Sequence, residues 1–69
     1  MGVDVRQRLG SNLRKLRKAK KLSQEAFADD AGIHRTYISD IERGARNPTI
    51  TVVETIAKAL GVTASDLLL

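Results

Sequence analysis

The sequence predicts an all-α fold, a single domain of five helices over residues 1–69. Apolar residues recur every three or four positions in two long segments, which is the period of an amphipathic helix. Serine or threonine precedes several helical segments and glycine follows them, as expected for helix caps. Between residues 24 and 43, two short segments flank a turn that contains Gly32, which is the pattern of a helix-turn-helix.

Size and composition exclude several classes of protein. A chain of 69 residues has no room for both a core and an enclosed active site, so we do not expect an enzyme. With no cysteine and one histidine, the sequence supplies no metal-ligand set. No apolar run approaches the ~18 residues of a membrane span, and no signal-peptide pattern is present. We therefore expect a cytoplasmic protein with no cofactor, metal, membrane or small-molecule ligand.

The positive charge is unevenly distributed. The formal net charge is +4, and 11 of the 12 lysines and arginines lie in residues 6–46. This imbalance indicates an anionic partner for the first part of the chain. Charge alone leaves nucleic acid, a membrane surface and simple solubility open.

The first helix is predicted over Val5–Lys18. Val5, Leu9, Leu13 and Leu16 form one apolar stripe, and basic residues cover much of the rest. A basic amphipathic helix can lie on a membrane, but this one lacks aromatic anchors. Its narrow stripe favours a face that packs in the core.

Two short helices follow. Ser23 suits an N-cap for a second helix over Gln24–Asp30. After the turn, the third helix is predicted from about Arg35 to Arg43, and Gly44 suits its C-terminal cap. The helix-turn-helix thus spans residues 24–43.

The third helix has two chemically different sides at ~100° per residue. One side carries Ile38, Ile41 and Glu42, and its apolar members must be buried. An arginine in the first turn of a helix can form a bidentate hydrogen bond with guanine. The second side is therefore either a base-reading surface or an ordinary solvated face. Its residues are Arg35, Thr36, Ser39, Asp40 and Arg43.

A loop should follow the third helix, because Pro48 prevents the helix from continuing. Arg46 and Asn47 then lie where a sugar-phosphate backbone would pass. Asn47 also suits a turn or capping role, and the two roles are compatible.

The fourth helix is predicted to begin near Thr49 or Thr51 and to end at Leu60. The pair Thr51–Glu54 matches a capping box, and so does the pair Thr63–Asp66 before a short fifth helix.

The C-terminal part carries more apolar residues than one small core can absorb. Contiguous exposed apolar patches usually mark contact surfaces, so we predict a homodimer through about residues 50–69. A frayed tail is the alternative. The residues expected at the interface are Val52, Ile56, Ala59, Leu67, Leu68 and Leu69.

From about Leu9 to Leu67, the chain resembles the Cro/CI/Xre helix-turn-helix regulators of bacteria and their phages. The resemblance rests on SQEAFADDAGIHRTYISDIERGARNPT followed by IAKALGV. It implies the five-helix, lambda-repressor-like DNA-binding fold, with the third helix as the reading element. The segments HRTYIS, ERG and RN most resemble those of the controller proteins of restriction–modification systems. Those proteins are small dimers that bind operators upstream of their own gene.

The resemblance implies a role for individual positions. Base edges would be contacted by Arg35, Thr36, Ser39 and Asp40. The DNA backbone would be contacted by Gln24, Tyr37, Arg43, Arg46 and Asn47. A buried structural ion pair would join Arg17 to Glu42.

Three positions in or directly before the third helix have more than one interpretation. Asp40 can accept from cytosine N4, or it can fix the side chain of Arg35, Thr36 or Arg43. Tyr37 lies either near the DNA or against the fourth helix. His34 is more suited to capping the third helix than to binding a metal.

These features predict a transcriptional regulator that binds a pseudo-palindromic double-stranded DNA operator as a homodimer. RNA polymerase is a further candidate partner. The alternative is an antitoxin or phage-type repressor that also binds a protein. A nonspecific nucleic-acid coater would need stacking aromatics, and Phe27 and Tyr37 are the only two aromatic residues.

Overall fold

The computed structural model describes residues 4–69, and these residues fold into five α-helices without a strand. The predicted all-α fold is therefore confirmed. No helix in this part of the chain is long and apolar enough to cross a bilayer. The helices are α1 (Val5–Ala19), α2 (Gln24–Ala31), α3 (Arg35–Glu42), α4 (Ile50–Leu60) and α5 (Ala64–Leu68).

Each helix begins after a residue whose side chain accepts a backbone hydrogen bond from the first turn. These N-cap residues are Asp4, Ser23, His34, Thr49 and Thr63. At α5 the Asp66 carboxylate also accepts from the Thr63 backbone amide, so the predicted capping box there is confirmed.

The predicted capping box at Thr51 and Glu54 is wrong. Thr49 is in an extended conformation directly after Pro48, and its hydroxyl accepts from the Val52 amide at 3.2 Å. Helix α4 therefore starts earlier, and Thr51 lies inside its first turn.

Two turns depend on glycine. Gly32 follows α2 with φ +68° and has no atoms near the position of a β-carbon, so backbone conformation alone explains its presence. Gly44 follows α3 with φ +71°, and its amide donates to the Ile41 carbonyl at 3.0 Å. Both glycines let a helix end sharply.

All five helices contribute to one core. Leu13, Phe27, Ile38 and Ile41 are completely buried where α1, α2 and α3 meet. Ile56 of α4 and Leu67 of α5 complete the core, and both side chains are 0% exposed. The prediction that Ile56 and Leu67 lie in a dimer interface is therefore wrong, because the monomer already buries both.

Helices α1 and α3 pack unusually closely at Gly10. A β-carbon at this position would lie 2.3 Å from the Ile41 carbonyl oxygen and 2.8 Å from that of Glu42. Only glycine permits this approach, which holds α3 in place through its last turn.

Candidate nucleic-acid interface

The outward side of α3 carries the predicted base-reading residues. Ile38 and Ile41 are buried on the opposite side of the helix, whereas Arg35 and Thr36 are exposed in its first turn. None of the ion pairs formed among residues 4–69 includes Arg35. Within the described residues, no carboxylate therefore holds the Arg35 guanidinium group.

The start of α3 is fixed by His34. Its Nδ1 accepts from the Thr36 backbone amide at 3.1 Å, which confirms the predicted capping role. The cap orders the turn that presents Arg35 and Thr36.

Ser39 and Asp40 lie one turn further along and are half-buried. Both carboxylate oxygens of Asp40 accept from arginines. Oδ1 accepts from Arg43 Nη2, and Oδ2 accepts from Arg46 Nη2 at 3.1 Å. Hydrogen bonds from Arg46 and Arg43 hold the pKa of the Asp40 carboxyl below its ordinary value.

Arg46 also stacks on an aromatic ring. Its guanidinium carbon lies 4.3 Å from the centroid of the Tyr37 ring, within the range of a cation–π interaction. Tyr37 is half-buried and packs against the hydrophobic core. The ring is thus a supported platform that holds Arg46 beside α3.

Below this outer layer lies the predicted ion pair between Arg17 and Glu42. Arg17 Nε donates to Glu42 Oε2 at 2.6 Å, and its Nη2 donates to Oε1 at 3.0 Å. Arg17 Nη1 also donates to the Leu22 carbonyl at 2.7 Å. The fork of one guanidinium therefore connects α1 to α3 and to the segment before α2.

Gln24 belongs to the same network. Its Nε2 donates to Glu42 Oε1 at 3.1 Å, so the side chain predicted to bind phosphate is held by α3. Burial alone would raise the pKa of Glu42, but hydrogen bonds from Arg17 and Gln24 outweigh burial and lower it. No buried side-chain nitrogen or oxygen in the described part of the chain lacks a partner.

An apolar groove lies beside the loop that follows α3. It is lined by Val5, Arg6, Leu9, Asn47, Pro48, Ile50, Val53 and Leu68. Asn47, predicted to contact the DNA backbone, thus borders this groove. Ile50 is 86% exposed, and Val5, Leu68 and Leu69 are also exposed.

Val5 and Ile50 were absent from the predicted interface. Ile50 precedes Val53 by three residues, so helical spacing alone would assign it to the core. The other predicted interface residues divide into two groups: Val52 and Ala59 are half-buried on α4, whereas Leu68 and Leu69 are exposed.

Comparisons with known proteins agree with this geometry. The helix-turn-helix family profile matches residues 13–67. The control protein C.BamHI of Bacillus amyloliquefaciens is 48% identical over 69 residues, covering 99% of this chain and 85% of that protein.

Two solved structures are also similar. The hypothetical transcription factor NHTF from Neisseria has a TM-score of 0.92 and 44% identity, covering 96% of this chain and 76% of that one. The restriction–modification controller protein C.Esp1396I, a tetramer in complex with its natural 35 base-pair operator, has a TM-score of 0.85 and 35% identity. That match covers 96% of this chain and 87% of that one. The fold, the two-helix motif and these similarities show that the chain belongs to the helix-turn-helix family of transcriptional regulators.

Proposed function

We propose that this chain is a homodimeric transcriptional regulator that inserts α3 into the major groove of an operator. The observation that carries the proposal is the two-sided character of α3. Its isoleucines are buried, and its exposed first turn carries Arg35, which forms no ion pair with any other residue of 4–69. A helix of this kind fits the recognition helix of a helix-turn-helix protein.

Arg35 and Thr36 are proposed to select the sequence. An arginine can donate two hydrogen bonds to O6 and N7 of guanine, and threonine can contact a neighbouring base. Ser39 lies one turn further along α3, and its short side chain extends less far towards a base. Two copies of α3 on a dimer would read half-sites ~34–36 Å apart, so the operator should be pseudo-palindromic.

The residues around α3 are proposed to contact phosphates and set the register of the protein on DNA. Arg43 and Arg46 are exposed beyond the end of α3, and Gln24 lies at the N-terminus of α2. Tyr37 and Asn47 complete this group. The concentration of basic residues within 6–46 supports attraction of the first part of the chain to DNA.

The proposed dimer interface is the apolar groove together with the exposed end of α5. It would include Val5, Ile50, Leu68 and Leu69, with Val52 and Ala59 at its edge. The proposed interface therefore extends beyond residues 50–69 and includes the start of α1. An exposed isoleucine beside exposed leucines is expected to associate with a second apolar surface.

The regulated system is proposed to be restriction–modification control. Support comes from the similarity to C.BamHI and from C.Esp1396I, whose structure contains operator DNA. A regulator of this kind would work in the bacterial cytoplasm, and RNA polymerase would be its protein partner when it activates transcription.

The test is selection of bound duplexes from a random pool, combined with sedimentation of the free protein. We expect an enriched palindromic word and a dimer in solution. A pool with no enriched word would contradict the proposal. A stoichiometric complex with a different protein through the apolar groove would instead favour an antitoxin or phage-type repressor.

A further inference from the structure

Asp40 stands on the side of α3 that is proposed to face DNA, where a carboxylate is repelled by phosphate. Simple electrostatics therefore predicts that Asp40 weakens binding. Its contacts indicate a different role, because the two oxygens each hold an arginine that is proposed to contact the DNA backbone.

The loop after α3 is tied to Asp40 by main chain as well as side chain. The Ala45 amide donates to the Asp40 carbonyl at 2.9 Å, and Gly44 adopts the left-handed conformation that turns the chain back. Arg46 then lies between the Asp40 carboxylate and the Tyr37 ring. Asp40 thus fixes the backbone of the loop through its carbonyl and the guanidinium groups of Arg43 and Arg46 through its carboxylate.

The contacts with Asp40 use only some of the hydrogen-bond donors of the two arginines. A guanidinium group has five N–H donors in a planar fork, and both Arg43 and Arg46 reach Asp40 through Nη2. The remaining donors can bind a phosphate oxygen while the bond to Asp40 persists. A long side chain that is already ordered loses less conformational entropy when it binds.

We propose that Asp40 is a positioning residue for DNA binding, which presents Arg43 and Arg46 to the phosphates and does not read a base. This inference rests on the proposed function. It predicts that removal of a negative charge beside the DNA will weaken binding, which is opposite in sign to the electrostatic expectation.

The experiment compares Asp40→Asn with wild type on the selected operator and on a random duplex of equal length, over a range of salt concentrations. Asparagine has one carbonyl oxygen, so it cannot accept from both arginines in the same way. We expect affinity to fall several-fold on both duplexes. The magnitude of the negative slope of log K against log salt should decrease by about 1. The matched control is Asp29→Asn on α2, which removes an exposed carboxylate and should not weaken binding.

A double-mutant cycle separates positioning from a general structural role. In an Arg46→Ala background, Asp40→Asn should cause a smaller further loss than it does alone, because one of its two arginine partners has gone. The melting temperature of Asp40→Asn should stay close to that of wild type.

Two results would overturn the inference while wild-type operator binding remained intact. One is tighter binding by Asp40→Asn, and the other is full additivity with Arg46→Ala. Failure of the wild-type protein to bind any DNA would overturn the proposed function as well, so the two failures are distinguishable.

Discussion

Helix α3 carries two acidic residues with opposite surroundings. Glu42 and its partner Arg17 have side chains only 3% and 8% exposed, and two hydrogen bonds join them. Asp40 is 19% exposed, and its partners Arg43 and Arg46 are 64% and 44% exposed. Two residues along a helix rotate a side chain by ~200°, so the two carboxylates point to opposite sides of α3.

This difference separates the side of α3 that holds the fold from the side that is proposed to bind DNA. The buried pair has lost its hydration and must remain paired, so it fixes the position of α3 against α1. The outer cluster keeps contact with water and retains free donors. Its arginines can therefore exchange water for phosphate without disturbing the core.

The strongest test of this comparison is Glu42→Ala. The substitution leaves the Arg17 charge buried without its carboxylate, which typically destabilises a protein by about 3–5 kcal/mol. A domain this small has a comparable total stability, so we expect extensive unfolding at 37 °C. Urea denaturation followed by circular dichroism measures the loss.

Two matched variants control this experiment. Glu54→Ala removes an exposed carboxylate from α4 and should change stability little. The double variant Arg17→Met/Glu42→Leu removes both charges and should recover part of the stability lost in Glu42→Ala. A loss below about 1 kcal/mol in Glu42→Ala would show that the pair behaves like a surface salt bridge.

The next effect concerns the packing that places the buried pair. Gly10→Ala puts a β-carbon against the Ile41 carbonyl, and α1 and α3 must separate to accept it. Such overpacking typically costs about 1–3 kcal/mol. Thermal unfolding should show a lower melting temperature. An unchanged melting temperature in Gly10→Ala would mean that α1 and α3 adjust freely.

The sequence predicted the helices because their signals are local. Leu9, Leu13 and Leu16 are three or four residues apart, as on one side of a helix. The caps at Ser23 and Thr63 likewise involve only residues within one helical turn. The buried pair of Arg17 and Glu42 was also predicted, but only through resemblance to a family. The close approach at Gly10 was not predicted, because it depends on two helices distant in sequence.

The outer cluster was predicted only in part. Helical phase grouped Asp40 with Arg43, but the contact with Arg46 depends on how Gly44 turns the loop. Ile56 and Leu67 were wrongly predicted to lie in a dimer interface, because periodicity does not show where a helix passes the edge of the core. Ile56 is buried and Ile50 is exposed for that reason.

Binding specificity gives a third comparison, between Arg35 and Arg46. Arg35→Ala should cost ~1–3 kcal/mol on the selected operator and little on a random duplex, because it would remove the proposed contact with base edges. Arg46→Ala should weaken binding to both duplexes and reduce the magnitude of the slope of log K against log salt by about 1. Fluorescence anisotropy on the two duplexes measures these changes. Equal losses from Arg35→Ala on both duplexes would remove it from the base-reading role.

The smallest expected effect is a difference in acid sensitivity between the two carboxylates. Both pKa values are lowered in the folded state, so each carboxylate contributes stability that is present above its unfolded pKa. That contribution is lost as pH falls through the folded pKa, because the unfolded state then binds more protons.

Glu42 is buried with its partner, so its protonation should account for more of the acid-induced loss than protonation of the solvent-screened Asp40. Stability measured from neutral to acidic pH should therefore vary less steeply in Glu42→Gln than in wild type. Asp40→Asn should follow the wild-type curve closely. If the Asp40 variant flattened the curve as much as the Glu42 variant, both clusters would hold the fold, and the separation between a folding side and a binding side of α3 would fail.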